Sequence, residues 1–78
     1  MNLDMRGMNV EQALNQIEKS LDQALLRGLE RIKLIHGHGS EALKKNIRTF
    51  LTRSPYISRW VSGLNESGGD GITWAYLK

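Results

Sequence analysis

The chain has 78 residues, 40% of them hydrophobic and 24% charged, and a formal net charge of +3; a chain of this size holds one small core, and its composition excludes a two-domain enzyme, a disordered tail and a coiled coil. It contains no cysteine, which removes disulfide scaffolds, iron–sulfur clusters, cysteine-based zinc sites and thiol nucleophiles together. No apolar run approaches the roughly 20 residues needed to cross a bilayer, and Met1-Asn2-Leu3-Asp4 lacks a basic-then-apolar signal pattern, so no membrane partner is expected and the cytoplasm is the expected compartment.

The charge is unevenly distributed. Residues 1–30 carry three basic and five acidic side chains, a net of −2, and residues 60–78 carry Lys78 against Glu66 and Asp70, a net of −1. Between them, residues 31–59 carry Arg31, Lys33, Lys44, Lys45, Arg48, Arg53 and Arg59 against Glu41 alone, a net of +6. Such a basic middle suits a phosphate-bearing partner.

In chain order, Leu3-Asp4-Met5-Arg6 alternates apolar and polar before Gly7, the pattern of a short half-buried strand. Val10, Ala13, Leu14, Ile17, Leu21, Ala24 and Leu25 then recur at helical spacing, with Asn9 and Gln12 as a capping box and Arg27-Gly28 as a basic last turn and terminating glycine, which predicts a helix over about 9–27. Ile32-Lys33-Leu34-Ile35 reads as a buried strand. Strand, helix, strand in this order implies a right-handed parallel crossover. His36-Gly37-His38-Gly39-Ser40 opens a second helix whose buried stripe is Leu43, Ile47, Phe50 and Leu51, and Ser54-Pro55 ends it. Ile57 to Ser62 and Ile72 to Leu77 read as two further strands, joined by a long flexible loop over 63–71. Their tryptophans, Trp60 and Trp74, are expected to pair across the sheet; stacking of Trp60, Trp74, Tyr56 and Tyr76 on bases is the alternative. The order β-α-β-α-β-β, with one apolar face per helix, predicts an α/β two-layer sandwich: a four-stranded mixed sheet covered by two helices.

In such layers ligands sit beyond the carboxyl ends of parallel strands, where two polar features should meet. Period-two alternation puts Asp4 and Arg6 on one side of the first strand, opposite Leu3 and Met5. The second strand ends in His36-Gly37-His38-Gly39 at a helix N-terminus, where close backbone approach, free N–H groups and the helix dipole favour an anion. Lys44, Lys45 and Arg48 fall within about 100° of arc on the second helix and form a candidate phosphate-tracking edge. A zinc site is disfavoured, since His36 and His38 would need carboxylates such as Asp4 to complete it; no metal ligands are assigned, although a divalent cation is not excluded as a cofactor. His36 continues a buried strand, whereas His38, flanked by glycines, should be accessible.

Leu3-Asp4-Met5-Arg6-Gly7, then Ile35-His36-Gly37-His38-Gly39, then Gly69-Asp70-Gly71-Ile72-Thr73 together resemble the motifs of the Smr (small MutS-related) domain, in order and over essentially the whole chain, so that residues 1–78 read as a single Smr domain. The resemblance implies a fold similar to the C-terminal domain of translation initiation factor three. It also implies endonuclease activity, nicking DNA or cutting RNA, in a domain found alone or at the C-terminus of MutS-like ATPases linked to DNA repair, recombination control and ribosome rescue. Asp4, Arg6 and His36 would then be catalytic, and Gly37, His38, Gly39, Lys44, Lys45 and Arg48 would hold the nucleic acid. Many members carry histidine where this chain has Arg6, which cannot accept a proton at ordinary pH, so a base role falls to Asp4 or His36. The implied partners are DNA or RNA, the ribosome and a larger parent protein; a non-catalytic nucleic-acid or ribosome-binding module is the alternative.

Overall fold

A computed structural model describes residues 1–63 and 69–78. Its elements run β1 (Asn2–Asp4), α1 (Val10–Leu26), β2 (Arg31–Ile35), α2 (Glu41–Arg53), β3 (Ile57–Gly63) and β4 (Gly69–Leu77). β1 and β2 pair in parallel, β4 pairs antiparallel with both β2 and β3, and the sheet order is β1-β2-β4-β3. The last strand thus enters the middle of the sheet.

Local chemistry sets the helix limits. Asn9 Oδ1 accepts from Gln12 N at 2.8 Å while Gln12 Oε1 accepts from Asn9 N at 3.1 Å, closing the expected capping box. Arg27 is the C-cap of α1 rather than part of its last turn, and Gly28 follows with φ 65°. Ser40 Oγ caps α2 by accepting from Leu43 N at 3.1 Å, and Ser54-Pro55 closes it.

Both helices cover one face of the sheet. Leu3, Ile32, Leu34 and Ala75 from the strands and Met5 just beyond β1 pack in one cluster with Ala13, Ile17, Leu21 and Ala24 of α1 and Leu43, Ile47 and Leu51 of α2. Phe50, expected in the buried stripe, is half-buried at its margin, and Leu25 is exposed. The alternate strand residues, including Arg31, Lys33, Arg59, Trp74 and Tyr76, project from the opposite face.

Two expectations change at the β3–β4 hairpin. β4 begins at Gly69 and β3 extends to Gly63, because the strands pair at Gly63↔Gly69 after a register irregularity; the remainder of the expected flexible loop, 64–68, lies outside the described residues. Trp60 sits opposite Ala75, and Trp74 opposite Val61. The tryptophans therefore lie on opposite faces and do not pair: Trp60 packs on the core and donates through Nε1 to Thr52 Oγ1 at 2.9 Å, while Trp74 faces away from the helices.

Replacing Ile47, which is fully buried, by alanine should cost about 2–5 kcal/mol in a denaturant titration through lost burial and a residual cavity. Leu26→Ala, at a position 82% exposed, should change stability by less than about 0.5 kcal/mol.

Candidate functional site

At the carboxyl edge of β1 and β2 the chain makes a shallow cleft of about 400 Å³, bounded by Arg6, Gly7, Met8, the His36–Ser40 loop and Leu43. Arg6 enters it from the strand bearing Asp4. The guanidinium is held by two hydrogen bonds to the Asp4 carboxylate, Nε to Oδ1 at 2.9 Å and Nη2 to Oδ2 at 2.6 Å, and Arg6 N donates to Asp4 Oδ1 at 3.1 Å. These bonds, the side-chain ones first, bring the Asp4 pKa down to about 2, so the carboxylate stays ionised throughout the neutral range. Both side chains are exposed.

The glycine loop is fixed by β4. Gly71 O accepts from both His36 N and Gly37 N at 3.0 Å. A Cβ on Gly71 would lie 2.9 Å from His38 Nε2 and 3.1 Å from its Cδ2, so the accessible His38 ring can pack against this strand only at a glycine. Gly37 has φ 79°, and its Cβ would meet Arg6 Cγ at 3.3 Å. Gly39 differs from both: its φ is ordinary and nothing lies within 4 Å of where its Cβ would be. No fold requirement excludes a side chain at Gly39, and the open space there faces the cleft.

Anion-binding capacity follows from donor accounting. Ser40 takes the N–H groups of Leu43 and Lys44 through its hydroxyl and carbonyl, which leaves the first-turn amides of Glu41 and Ala42 without intrahelical acceptors. They follow Ser40, which with Arg6 lines the cleft, and a helix N-terminus of this kind favours an anion.

His36 lies behind the loop, 3% exposed. Its Nδ1 is 3.1 Å from Gly37 O and its Nε2 is 2.8 Å from Thr73 Oγ1. A carbonyl can only accept, so Nδ1 carries a proton. Arg48 Nε also donates to Thr73 Oγ1 at 3.0 Å, and in the neutral ring the Thr73 hydroxyl donates onward to Nε2. The ring is enclosed, and burial favours this neutral form. Burial holds its pKa below the ordinary value, the Gly37 carbonyl opposes this, and Arg48 reinforces it.

The chain of bonds ends at Asp70. Its Oδ2 accepts from Lys44 Nζ at 2.6 Å, and its Oδ1 accepts from Arg48 Nη2 at 3.0 Å and Ser62 Oγ at 2.9 Å. These bonds, Lys44 first, hold Asp70 well below the usual carboxylate range. The expected basic edge of α2 is therefore divided. Lys44 and Arg48, only 16% and 17% exposed, turn inward to Asp70, and Lys45 is left on the surface. Strict alternation along β4 would put Asp70 on the face opposite Thr73; the register irregularity beside Gly63 brings it to the helix side. Asp70 and Thr73 thus join the site. The Gly69-Asp70-Gly71 motif pointed to them, although side-chain roles could not be assigned from it.

The donor set does not fit a resident cation. Among the described residues no three of His, Asp or Glu come together, and Asp4 and Asp70 each already face guanidinium or ammonium groups.

A glycine loop between a parallel strand and a capped helix, facing a fixed arginine, marks one edge of what the fold defines as an α/β two-layer sandwich. The model of the Smr domain family matches residues 3–78, and the chain belongs to that family. It is similar to the Smr domain of Thermus thermophilus MutS2 (32% identity, TM-score 0.93, covering 99% of this chain and 96% of that one). It also resembles YdaL, a stand-alone small MutS-related protein from Escherichia coli (25% identity, TM-score 0.88, 99% and 63%). Among curated proteins, Endonuclease MutS2 of Halothermothrix orenii is 42% identical and that of Carboxydothermus hydrogenoformans 43%, each over 76 residues. The match takes in 97% of this chain but only 10% of either relative's length.

The neutral ring of His36 predicts a signature in stability. An unfolded histidine takes up a proton near pH 6.5, whereas the folded ring resists it, so the contribution of His36 is complete above about pH 6.5 and falls as pH drops through its depressed folded value. Asp70 adds a separate loss below about pH 4, the ordinary carboxylate range. The thermal midpoint should fall in two steps on acidification, and His36→Asn should remove the upper step alone; an upper step that survives in the variant would contradict the enclosed neutral ring.

Proposed function

We propose that this domain binds nucleic acid and cuts its phosphodiester backbone in the cleft beside Arg6, within a larger MutS2-like parent. The observation that carries this reading is a guanidinium fixed by Asp4, set against a glycine loop whose following helix presents unclaimed amides. The endonuclease names of the relatives support it.

A phosphate entering over Gly39 meets Arg6 on one side and the loop and first-turn amides on the other. These donors stabilise the charge that develops on its non-bridging oxygens as a nucleophile adds to phosphorus and the P–O bond to the departing nucleotide breaks, with solvent taking the nucleophile's proton and returning one to the leaving oxygen. The nucleophile is a water or, on RNA, the neighbouring ribose 2′-hydroxyl. Asp4 accepts a hydrogen bond from it and orients it. His36, with both nitrogens engaged, is a positioning residue: it holds the loop and does not touch the phosphate. Lys45 and His38 contact the flanking backbone, and Lys44 and Arg48 contribute positive potential from behind through their pairing with Asp70.

One observation favours a second reading, a binding module that delivers its parent to DNA, RNA or the ribosome without cutting. The ionised Asp4 at about 2 is a weak base, and the only other acid–base group assigned to catalysis, His36, is enclosed.

Cleavage of labelled RNA and nicking of supercoiled plasmid decide between them. Wild type should cut, Asp4→Ala and Arg6→Ala should each lose on the order of 100-fold in rate, and Gly39→Ala should keep the wild-type thermal midpoint yet cut poorly, because its methyl group occupies the phosphate space. Cyclic phosphate ends formed in EDTA would identify attack by the 2′-hydroxyl. Salt-dependent binding with no cutting, with or without added divalent cations, would establish the second reading instead.

A further inference from the structure

The face of the sheet that no helix covers carries a second arrangement, separate from the cleft. Arg31 Cζ lies 3.9 Å from the centroid of the Trp74 ring, and Arg59 Cζ lies 4.0 Å from that of Tyr76. Arg31 Nη1 also donates to Tyr76 Oη at 3.2 Å, and Lys33 Nζ lies 5.6 Å from the Trp74 centroid. Two guanidinium groups therefore sit on two neighbouring rings of the central strand, brought there from β2 and β3 by the pairings Arg31↔Tyr76 and Arg59↔Tyr76.

Three features indicate the occupant. Among the described strand residues of this face Lys33 and Arg59 are cationic, and its carboxylate, Asp4, is already neutralised by Arg6; this charge favours an anionic partner. The guanidinium is planar and weakly hydrated, so each ring-and-guanidinium pile offers a surface on which another flat group stacks. Trp74 and Tyr76, two residues apart on one strand, are spaced about 7 Å along it, which suits separated bases rather than the closed stack of a duplex.

We propose that this face is a stacking platform for a single strand of nucleic acid, its bases lying on the Arg31–Trp74 and Arg59–Tyr76 piles. The platform also gives the strand a direction. Trp74 lies across from Lys33, Ile72 across from Ile35, and Ile35 across from Asp4, so Trp74 and Asp4 are two residues and two strands apart, about 12 Å at ordinary sheet spacings. A strand held on the rings reaches the Asp4–Arg6 edge within a few nucleotides. This deepens the proposed function, on which it rests, by assigning an unpaired substrate and the surface that selects it.

The test measures binding of the full 78-residue chain to labelled oligouridine, oligothymidine and a duplex of equal length. An Asp4→Ala background keeps the probes intact. Both single strands should bind at least about tenfold more tightly than the duplex. Trp74→Leu and Arg59→Ala should each weaken single-strand binding by roughly five- to a hundredfold, the range for loss of one stacked base, while Lys19→Ala on α1 leaves it unchanged. Arg59 is exposed, so its variant remains informative even if Trp74→Leu fails to fold. Equal affinity for the duplex, competition by polyglutamate as effective as by oligouridine, or parental binding by Arg59→Ala would overturn the platform. Cleavage by the wild-type chain with Arg59→Ala binding unimpaired would refute the platform and leave the proposed function standing; ring-dependent single-strand binding without cleavage would do the reverse.

Discussion

The carboxylate of Asp70 holds α2 to β4. It sits between two cations one helical turn apart, Lys44 and Arg48, both largely withdrawn from solvent, and without it they would repel each other in a setting where water screens them poorly. By fixing Arg48 it also fixes Thr73, through Thr73 it fixes the ring of His36, and the ring bonds the carbonyl of Gly37. One residue further along β4, the carbonyl of Gly71 anchors the main chain of the same loop twice. The loop that faces the cleft is thus held from behind by side chain and main chain, both supplied by one end of one strand.

This arrangement changes the meaning of the basic middle region. A net of +6 over residues 31–59 looks like a single patch, but the fold divides it into three parts. Lys44 and Arg48 serve the interior. Lys45 lies on the exposed surface of α2. Arg31, Lys33 and Arg59 lie on the far side of the sheet, each over an aromatic ring. Two outward surfaces result, one built of amides and Arg6 and suited to a phosphate, the other built of rings and guanidinium groups and suited to bases. They meet at the end of β1, where Asp4 and, just beyond the strand, Arg6 stand at the border of both.

Much of this was legible in the sequence because it depends on neighbours along the chain. Helical spacing, the Asn9–Gln12 box, the alternation that sets Asp4 and Arg6 against Leu3 and Met5, and the contrast between a buried His36 and an accessible His38 are all local. Strand order is not local. Nothing in the residues shows that β4 inserts between β2 and β3, and that insertion brings Gly69-Asp70-Gly71 to His36. The inward turn of Asp70 depends on a register irregularity that period-two counting cannot anticipate. The same counting, carried across a hairpin of unknown register, put Trp60 and Trp74 on one face when they lie on two. Lys44 and Arg48 were read as surface groups because their partner is more than 20 residues away.

With a neutral His36 ring the network puts the proton on Nδ1, and this makes it directly observable. Nitrogen-15 NMR of the imidazole of His36 at neutral pH should show a neutral ring protonated at Nδ1, its Nε2 accepting from Thr73, and Asp70→Asn should disturb that pattern although it alters no contact of the ring itself. An imidazolium, the Nε2–H tautomer, or a ring indifferent to Asp70→Asn would contradict the view that Asp70 holds the loop through Arg48, Thr73 and His36.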